Sequence, residues 1–473
     1  MKPLLTLLVC FLLYGVRAQT ISMSEDITLR NEIAYELIGE MKGQLLLFRN
    51  RNLEFEIQGF DRQMKLGWSK LLELDKRTPV VLGFTHSKSD FTLFYQYRNR
   101  GNTVLKAHRY DPGANLIDSV TIVNWGYLFY TPNMQVVRSE DKSKVLFYFV
   151  ERQTIVKAAA FDVNSMKLLW EKNFMPDDFI YGQDISHFLV NNDGHLFMII
   201  ERDNFRARKK VHYYEIYTFT GEGDLRSFNV PLEGKLTFDV AFVCDNLNNR
   251  LVGAGLYGEK DPERANGYFY MGVDLTDNKK HLLRFEPFDE AFLSGLLGKT
   301  NVSNKGLDEI TVREIVLRKD GGALLIGERT KQLFRSSAAY NRTYYDPSSR
   351  SVVDYYYDDM FVISLHPDGA THWKNVLPKK QYSQDDDGVY SSYFLFKTTG
   401  NLRFLFNDEI RYENTVSEYI VNGIGEYDRN SILSTQNLEL RLRFRDAIQI
   451  SANELVVPSE RRNRLRLVKF IYN

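Results

Sequence analysis

A short turn pattern recurs along this chain of 473 residues and constrains its fold more than any other feature. In each copy, an apolar strand-like run ends in an aromatic residue followed by Asp, whose side chain can hold a turn by bonding its own backbone. The full copies are Phe60-Asp61, Tyr110-Asp111, Phe161-Asp162 and Tyr427-Asp428, and the weaker ones are Val273-Asp274, Leu365-His366 and Phe219-Thr220. Successive copies lie mostly about 50 to 60 residues apart, so the pattern predicts a regular series of strand-turn-strand units.

Tryptophans and second strands follow the same spacing. Trp68, Trp170 and Trp373 each lie seven or eight residues after a turn residue, where they would pack an outer strand onto its sheet. The strands that precede the turns also repeat, at 44–48, 91–96, 144–149, 195–200, 250–255, 323–327 and 402–407. Each unit therefore reads as a four-stranded meander. The predicted units are 33–76, 80–123, 134–175, 185–232, 236–287, 311–378 and 391–440.

The two ends of the chain supply an eighth unit. The tail 444–473 contains three strand-like runs, and the N-terminal run 20–29 offers a fourth. Pairing of these ends would hide both sheet edges. We therefore predict an all-β fold, a single β-propeller over residues 19–473 with eight blades, seven being the other possibility. A two-domain β-sandwich array is the rival, but no Pro-, Gly- or Ser-rich linker divides the units.

Two insertions interrupt the regular spacing, at about 288–308 and about 330–358. The first contains the one segment with a helical apolar face, residues 289–297, which predicts a short helix packed over a blade. The second lies between the second and third strands of the sixth unit. Both are expected to be additions to the propeller rather than separate domains.

The first eighteen residues have the features of a secretory signal peptide. Lys2 provides the positive charge, residues 4–16 form an apolar run, and a small residue, Ala18, precedes the expected cleavage site. A retained anchor helix is the alternative, although the run is shorter than the roughly 20 residues of a membrane span. The residues that precede Cys10 match the cleavage sequence of lipoproteins poorly, so lipidation at Cys10 is not expected. We expect an exported chain that starts at Gln19, has no transmembrane segment, and is periplasmic, outer-surface or extracellular.

Composition narrows the possible functions. Lys+Arg and Asp+Glu both number 61, so the chain lacks the basic excess of a nucleic-acid binder. Removal of the signal peptide leaves Cys244 as the only cysteine, which excludes an internal disulfide. We predict that Cys244 is a small buried residue rather than a nucleophile. The eight His are scattered, and the acidic run 385–387 lacks calcium-loop spacing, so it reads as a solvated turn. We predict no metal, no cofactor and no catalytic residues.

Two segments carry resemblances to known proteins. The hairpin 159–172, with Asp162 before Leu168-Leu169-Trp170-Glu171-Lys172, resembles the quinoprotein-type propeller repeat, which implies an eight-bladed fold. Quinone-cofactor enzymes of that type use an adjacent cysteine pair, and this chain does not have one, so their chemistry is not implied. The segment 358–369, followed by Lys379-Lys380-Gln381, is similar to uncharacterised exported proteins of Gram-negative bacteria.

A tyrosine-rich stretch in the second insertion is the predicted ligand or partner site. Tyr combines a flat apolar face with a polar tip, which suits binding to sugars or peptides. The predicted site residues are Tyr340, Arg342, Tyr344, Tyr345, Tyr355, Tyr356 and Tyr357. A partly ordered surface loop or a blade cover is the plainer interpretation of the same residues.

These observations favour a non-enzymatic binding or scaffold module that presents propeller loops to a protein or glycan partner at the cell surface. The alternative is a glycan-active hydrolase or lyase with acidic residues in the propeller channel. A third hypothesis is that the chain is a structural component of a larger envelope complex. Carboxylates with shifted pKa values at one end of the channel would favour the enzyme.

Overall fold

The computed structural model shows an eight-bladed β-propeller built from eight antiparallel sheets. It describes residues 19–30, 32–51, 54–75, 78–202, 211–261, 264–276, 280–300, 306–336, 351–408, 410, 415–435 and 438–472. The predicted signal peptide, 1–18, lies outside them. The chain divides into two compact units. We call them the terminal unit (described residues within 1–52, 56–70 and 386–473) and the central unit (within 53–55 and 71–385).

Three sheets make up most of the terminal unit. The first is β3 Ala34–Met41, β4 Gln44–Arg51, β5 Glu54–Phe60 and β6 Leu66–Leu72. The second is β28 Phe394–Lys397, β29 Asn401–Asn407, β30 Thr415–Asn422 and β31 Tyr427–Ser434. The third joins the chain ends through β1 Thr20–Met23, β2 Ile27–Thr28, β32 Ile448–Gln449, β33 Glu454–Arg461 and β34 Arg464–Ile471.

Pairing of the N- and C-terminal strands is confirmed. In β1, Thr20 pairs with Ile471 and Met23 pairs with Val468, while β2 pairs with the start of β34. The backbone amide of Leu467 donates to Ser24 Oγ at 2.9 Å, which extends the contact beyond the strand. The N-terminal segment thus provides the outermost strand of a sheet whose other strands come from the tail.

Five sheets make up the central unit. The first consists of β7 Val80–His86, β8 Phe91–Asn99, β9 Asn102–Tyr110 and β10 Leu116–Tyr127. The second consists of β11 Gln135–Arg138, β12 Lys144–Glu151, β13 Ile155–Asp162 and β14 Lys167–Phe174. The third consists of β15 Ser186–Val190, β16 Leu196–Arg202, β17 Tyr213–Phe219 and β18 Arg226–Pro231. The fourth consists of β19 Leu236–Asp245, β20 Arg250–Gly258, β21 Gly267–Asp274 and β22 His281–Pro287. The fifth is β23 Ile310–Leu317, β24 Ala323–Ser336, β25 Ser351–Leu365, β26 Thr371–Leu377 and β27 Gln381–Gln384, which pairs with β25.

The hydrophobic core lies between the faces of neighbouring sheets. In the central unit, the first strands of successive sheets (β7, β11, β15, β19 and β23) contact one another. Apolar layers fill the space behind them. Phe94 and Phe147, for example, come from neighbouring sheets, are fully buried and pack edge to face at 5.1 Å. Because β-sheets are stabilised by burial of their apolar faces, this repeated layer replaces a single large core.

The predicted turn and tryptophan pattern is confirmed at most positions. Asp61, Asp111 and Asp162 each accept backbone N–H groups within their turns at 2.9–3.0 Å. The Trp170 indole donates to Gly194 O at 2.9 Å and fixes an outer strand to the next sheet. The prediction at Tyr427-Asp428 is wrong, because these residues begin β31. Asn422 forms that turn instead, since its Oδ1 accepts from the Ile424 and Glu426 amides.

The two insertions differ in structure. The predicted helix in the first is confirmed as α1, Glu290–Leu297, with Asp289 Oδ1 capping the Phe292 amide at 2.8 Å. The described part of the second insertion extends the sheet, since β24 and β25 remain paired as far as Ser336 and Ser351. None of the helices in the described part of the chain has the length and apolar character that crossing a membrane requires.

Candidate binding surfaces

Three aromatic side chains are exposed together where the first sheet of the central unit ends. We call residues 127–130 the aromatic loop. Phe129 is 85% exposed, Tyr127 is 64% exposed and Tyr130 is 54% exposed. The rings of Tyr127 and Phe129 pack edge to face with centroids 5.5 Å apart. Large exposed apolar groups of this kind are typical of interaction sites, because water solvates them poorly.

Buried contacts fix this aromatic loop to the sheet. The Leu128 side chain is only 5% exposed and belongs to the core between the first two sheets. Arg98 donates to the Leu128 carbonyl, and Gln96 Nε2 donates to Pro132 O at 2.9 Å. Loops held in this way lose little conformational freedom on binding, which favours affinity.

The terminal unit contains a cleft of about 750 Å³, within the usual size range of ligand sites. We call it the terminal cleft. Charged and aromatic side chains line it, including Glu36, Arg445 and the group formed by Tyr35, Arg443, Asp446 and Glu460. This lining suits a polar ligand better than an apolar one.

Ion pairs occupy the acidic groups of the terminal cleft. Arg443 binds both Asp446 Oδ2, at 2.6 Å, and Glu460. Tyr35 donates its hydroxyl proton to Glu460 Oε2 at 3.2 Å. Burial raises the pKa of Tyr35 well above its usual value, so this hydroxyl stays protonated and keeps donating. The arrangement is a fixed polar network.

The central unit contains buried charged side chains near β23, the first strand of its fifth sheet. Lys379 and Glu328 both have fully buried side chains, and Nζ of Lys379 lies 2.7 Å from Oε1 of Glu328. Arg313 Nε donates to the other Glu328 oxygen at 2.9 Å. Burial lowers the pKa of Lys379, and the neighbouring Glu328 partly opposes that shift. Lys379 and Arg313 both form ion pairs with Glu328, which indicates a structural role.

Three described carboxyls in this unit have raised pKa values, those of Glu171, Asp239 and Asp358, and burial is the first cause for each. Asp239 lies at a bulge of β19 with a φ of 47°. Burial is the main cause of its raised pKa, Arg313 lowers the pKa, and Glu201 raises it further. A raised carboxyl pKa favours the protonated form, which is the form that a general acid needs.

The tyrosines of the predicted site are placed differently from one another. Tyr340, Arg342, Tyr344 and Tyr345 lie outside the described residues. Tyr355 and Tyr357 are each only 7% exposed within β25, and Tyr356 is half-buried beside the Tyr382 ring, with centroids 5.1 Å apart. The described part of this site is thus mostly buried strand, and its binding role stays a prediction.

Other residues singled out in the sequence have structural surroundings. Burial raises the pKa of the Cys244 thiol to about 12, which suppresses the thiolate that a nucleophile needs. His366 and His372, far from any metal-ligand spacing in sequence, have ring centroids 4.7 Å apart. Within the described ranges, no group of three or more His, Cys, Asp or Glu is placed to hold a metal ion.

Sequence reasoning missed the aromatic loop. The run Trp125-Gly126-Tyr127-Leu128-Phe129-Tyr130 was a visible signal, because it continues past the expected end of a strand. Its alternation does not show which residues are exposed, since Trp125 and Leu128 are buried while Tyr127 and Phe129 are not.

Comparison with known proteins places the fold in context. No protein-family model and no curated protein sequence matches this chain. Among solved structures, it is similar to Saccharomyces cerevisiae Sqt1 at 9% identity (96% of this chain, 99% of that one, TM-score 0.46). It is similar to the β-propeller domain of the Trilobed protease from Pyrococcus furiosus at 11% identity (86% and 98%, TM-score 0.37). It is also similar to Porphyromonas gingivalis dipeptidyl peptidase 4 at 10% identity (91% and 56%, TM-score 0.46).

Proposed function

We propose that this chain is a non-enzymatic binding module that holds a protein partner at the aromatic loop. The observation that carries the proposal is the 85% exposure of Phe129 on a loop whose backbone is hydrogen-bonded to the sheet. Burying a Phe side chain on a partner is worth about 1.5–3 kcal/mol. That gain is kept when the loop does not have to be ordered on binding.

The chemistry of the aromatic loop favours a protein over a glycan. Phe129 is the most exposed of the three aromatic side chains and has no group that can hydrogen-bond to sugar hydroxyls. An apolar groove on a protein accepts such a ring as an anchor, and the tyrosine hydroxyls beside it can bond to the groove's rim. The partner we propose is therefore a protein with an apolar pocket.

Site-specific cross-linking tests this function. A photoreactive phenylalanine analogue at position 129 would capture the partner in the cells that produce the chain. Binding of the purified partner to Phe129→Ala should then weaken by more than about tenfold. Phe334→Ala is the matched control, because Phe334 is also in the central unit and is 74% exposed. Equal affinities of the two variants, or capture of a glycan only, would contradict the proposal.

We also propose export of the chain after cleavage behind Ala18, on the strength of the N-terminal sequence pattern. The test is the mass of the chain recovered from outside the cytoplasm. A mass that begins at Gln19 supports export, and a chain that retains Met1 in the cytoplasm contradicts it.

A glycan-active hydrolase or lyase is the second candidate, and the raised pKa of Asp239 supports it. The acids of the terminal cleft support it less, because Asp446 and Glu460 are both bound to Arg443. Glycan cleavage that is lost in Asp239→Asn and retained in Asp358→Asn, whose own carboxyl also has a raised pKa, would favour the enzyme.

A further inference from the structure

One face of the C-terminal hairpin concentrates arginine. The turn between β33 and β34 consists of Arg462 and Asn463, with φ values of 49° and 60°, as a two-residue hairpin loop requires. Side chains alternate along the strands, so Arg461 shares a face with Ser459, and Arg464 shares that face with Arg466. The acidic Glu460 lies on the opposite face, where it lines the terminal cleft.

The register places like charges opposite each other. Arg461 pairs directly with Arg464, and Ser459 pairs with Arg466. Like charges in directly opposite positions destabilise a sheet. A hairpin that carries such a pair gains stability from any anion that sits between the two guanidinium groups.

These side chains surround a cleft of about 200 Å³, which we call the arginine cleft. Its described lining is Asp26, Glu439, Ser459, Arg461, Arg462, Arg464 and Arg466, four cations against two anions. One water occupies roughly 30 Å³, so the space holds a tetrahedral oxyanion with several waters.

The two acids leave part of the positive charge uncompensated. Asp26 binds Arg464 at 3.0 Å and also binds Arg466, and the hydrogen bond from Arg466 is the first cause of its lowered pKa. Glu439 is 70% exposed and lies 3.4 Å from Arg461. Arg462 is exposed and has no hydrogen bond or ion pair with any described residue. Ser459 Oγ accepts the Arg441 amide at 2.8 Å, which leaves its hydroxyl proton available to a ligand.

We propose that the arginine cleft binds a phosphate or sulfate group. Forked guanidinium donors match the oxygens of such groups and give short, charge-assisted hydrogen bonds. The N-terminal segment contributes Asp26 to the lining, so the full lining forms only when the two chain ends are paired.

Calorimetric titration of the full chain with inorganic phosphate, inorganic sulfate and a sulfated oligosaccharide, at constant ionic strength, tests the proposal. Saturable binding that weakens about tenfold in Arg461→Gln is expected, because one guanidinium is lost. Glu439→Gln should strengthen binding several-fold, because it removes an opposing charge. Tighter binding of the oligosaccharide than of the two inorganic ions would identify a polymer as the source of the bound group. Equally tight binding of the inorganic ions would identify the free anion as the ligand.

Two further variants keep the test decisive. Arg462→Asn suits the turn and removes only an unpaired cation, so weaker binding in this variant cannot reflect misfolding. Arg226→Gln removes an exposed arginine in the central unit and should bind as the unmodified chain does. Absence of saturable binding to all three probes, or equal weakening by Arg226→Gln, would overturn the proposal.

Discussion

The ring of Tyr127 lies directly over Gly101, so closely that a Cβ on Gly101 would be 2.6 Å from the ring. Gly101 also has a φ of 89°, in the region that favours glycine. The glycine therefore determines both the turn and the position of an aromatic ring in the proposed partner site. This relationship provides a way to change the aromatic loop without altering its own residues.

Gly101→Ala should displace Tyr127 and weaken partner binding. It should also lower the free energy of unfolding by more than about 1 kcal/mol, since the methyl group adds a clash to the strained φ. Gly126→Ala is the matched control, because Gly126 has a φ of 75° but nothing within 4 Å of its added Cβ. Urea unfolding of both variants measures the difference, and equal losses would show that the ring contact is unimportant.

Lys379→Met should destabilise the central unit by about 3–5 kcal/mol, because it leaves the buried Glu328 carboxylate with Arg313 as its remaining cation partner. Changing Glu328→Gln in the same chain should recover part of that loss. The control is Lys331→Met, which breaks an exposed pair with Glu309 and should cause no measurable change. Denaturant midpoints provide the comparison, and a small effect of Lys379→Met would contradict the buried-pair interpretation.

Ser24→Ala should weaken the pairing of the chain ends, because it leaves the buried Leu467 amide without its acceptor. The expected cost is about 1–3 kcal/mol. Ser22→Ala in the neighbouring strand should cost less than about 0.5 kcal/mol, as is usual at sites without such a contact. Amide hydrogen exchange at Leu467 measures the effect locally. Unchanged protection there would argue against the Ser24 hydrogen bond.

Tyr148→Phe should reduce the loss of stability at alkaline pH. Burial raises the pKa of Tyr148 to about 12, and Tyr181 adds to the shift. A raised phenol pKa contributes stability that is complete below the unfolded pKa of about 10 and is lost as the pH rises through 12. The difference is at most about 3 kcal/mol.

Unfolding of both proteins at pH values between 9 and 12 measures this contribution. The substitution keeps the stacked contact with Phe188, whose ring centroid lies 3.9 Å away. Identical pH dependence of the two proteins would show that the Tyr148 hydroxyl is not buried enough to matter.

The sequence predicted turns best where a side chain forms hydrogen bonds with the backbone of the same turn. Asp61, Asp111 and Asp162 bond to backbone amides a few residues away, so the turns could be identified from the chain alone. In the sheet of β28 to β31, an asparagine performs the same role six residues before Asp428, the residue that was predicted. An amide oxygen accepts the same hydrogen bonds as a carboxylate, so Asn422 substitutes for the expected Asp.

The chain by itself indicated the four-stranded sheets, their order and the pairing of its two ends, because strands and turns follow from the alternation and spacing of neighbouring residues, whereas the choice between eight and seven blades came from the tertiary structure. Only the tertiary structure decided which aromatic side chains are exposed. Tyr355 and Phe129 belong to equally aromatic stretches, yet one is 7% exposed and the other 85%. Exposure depends on which residues from distant parts of the chain cover a side chain, and the sequence does not specify those contacts locally.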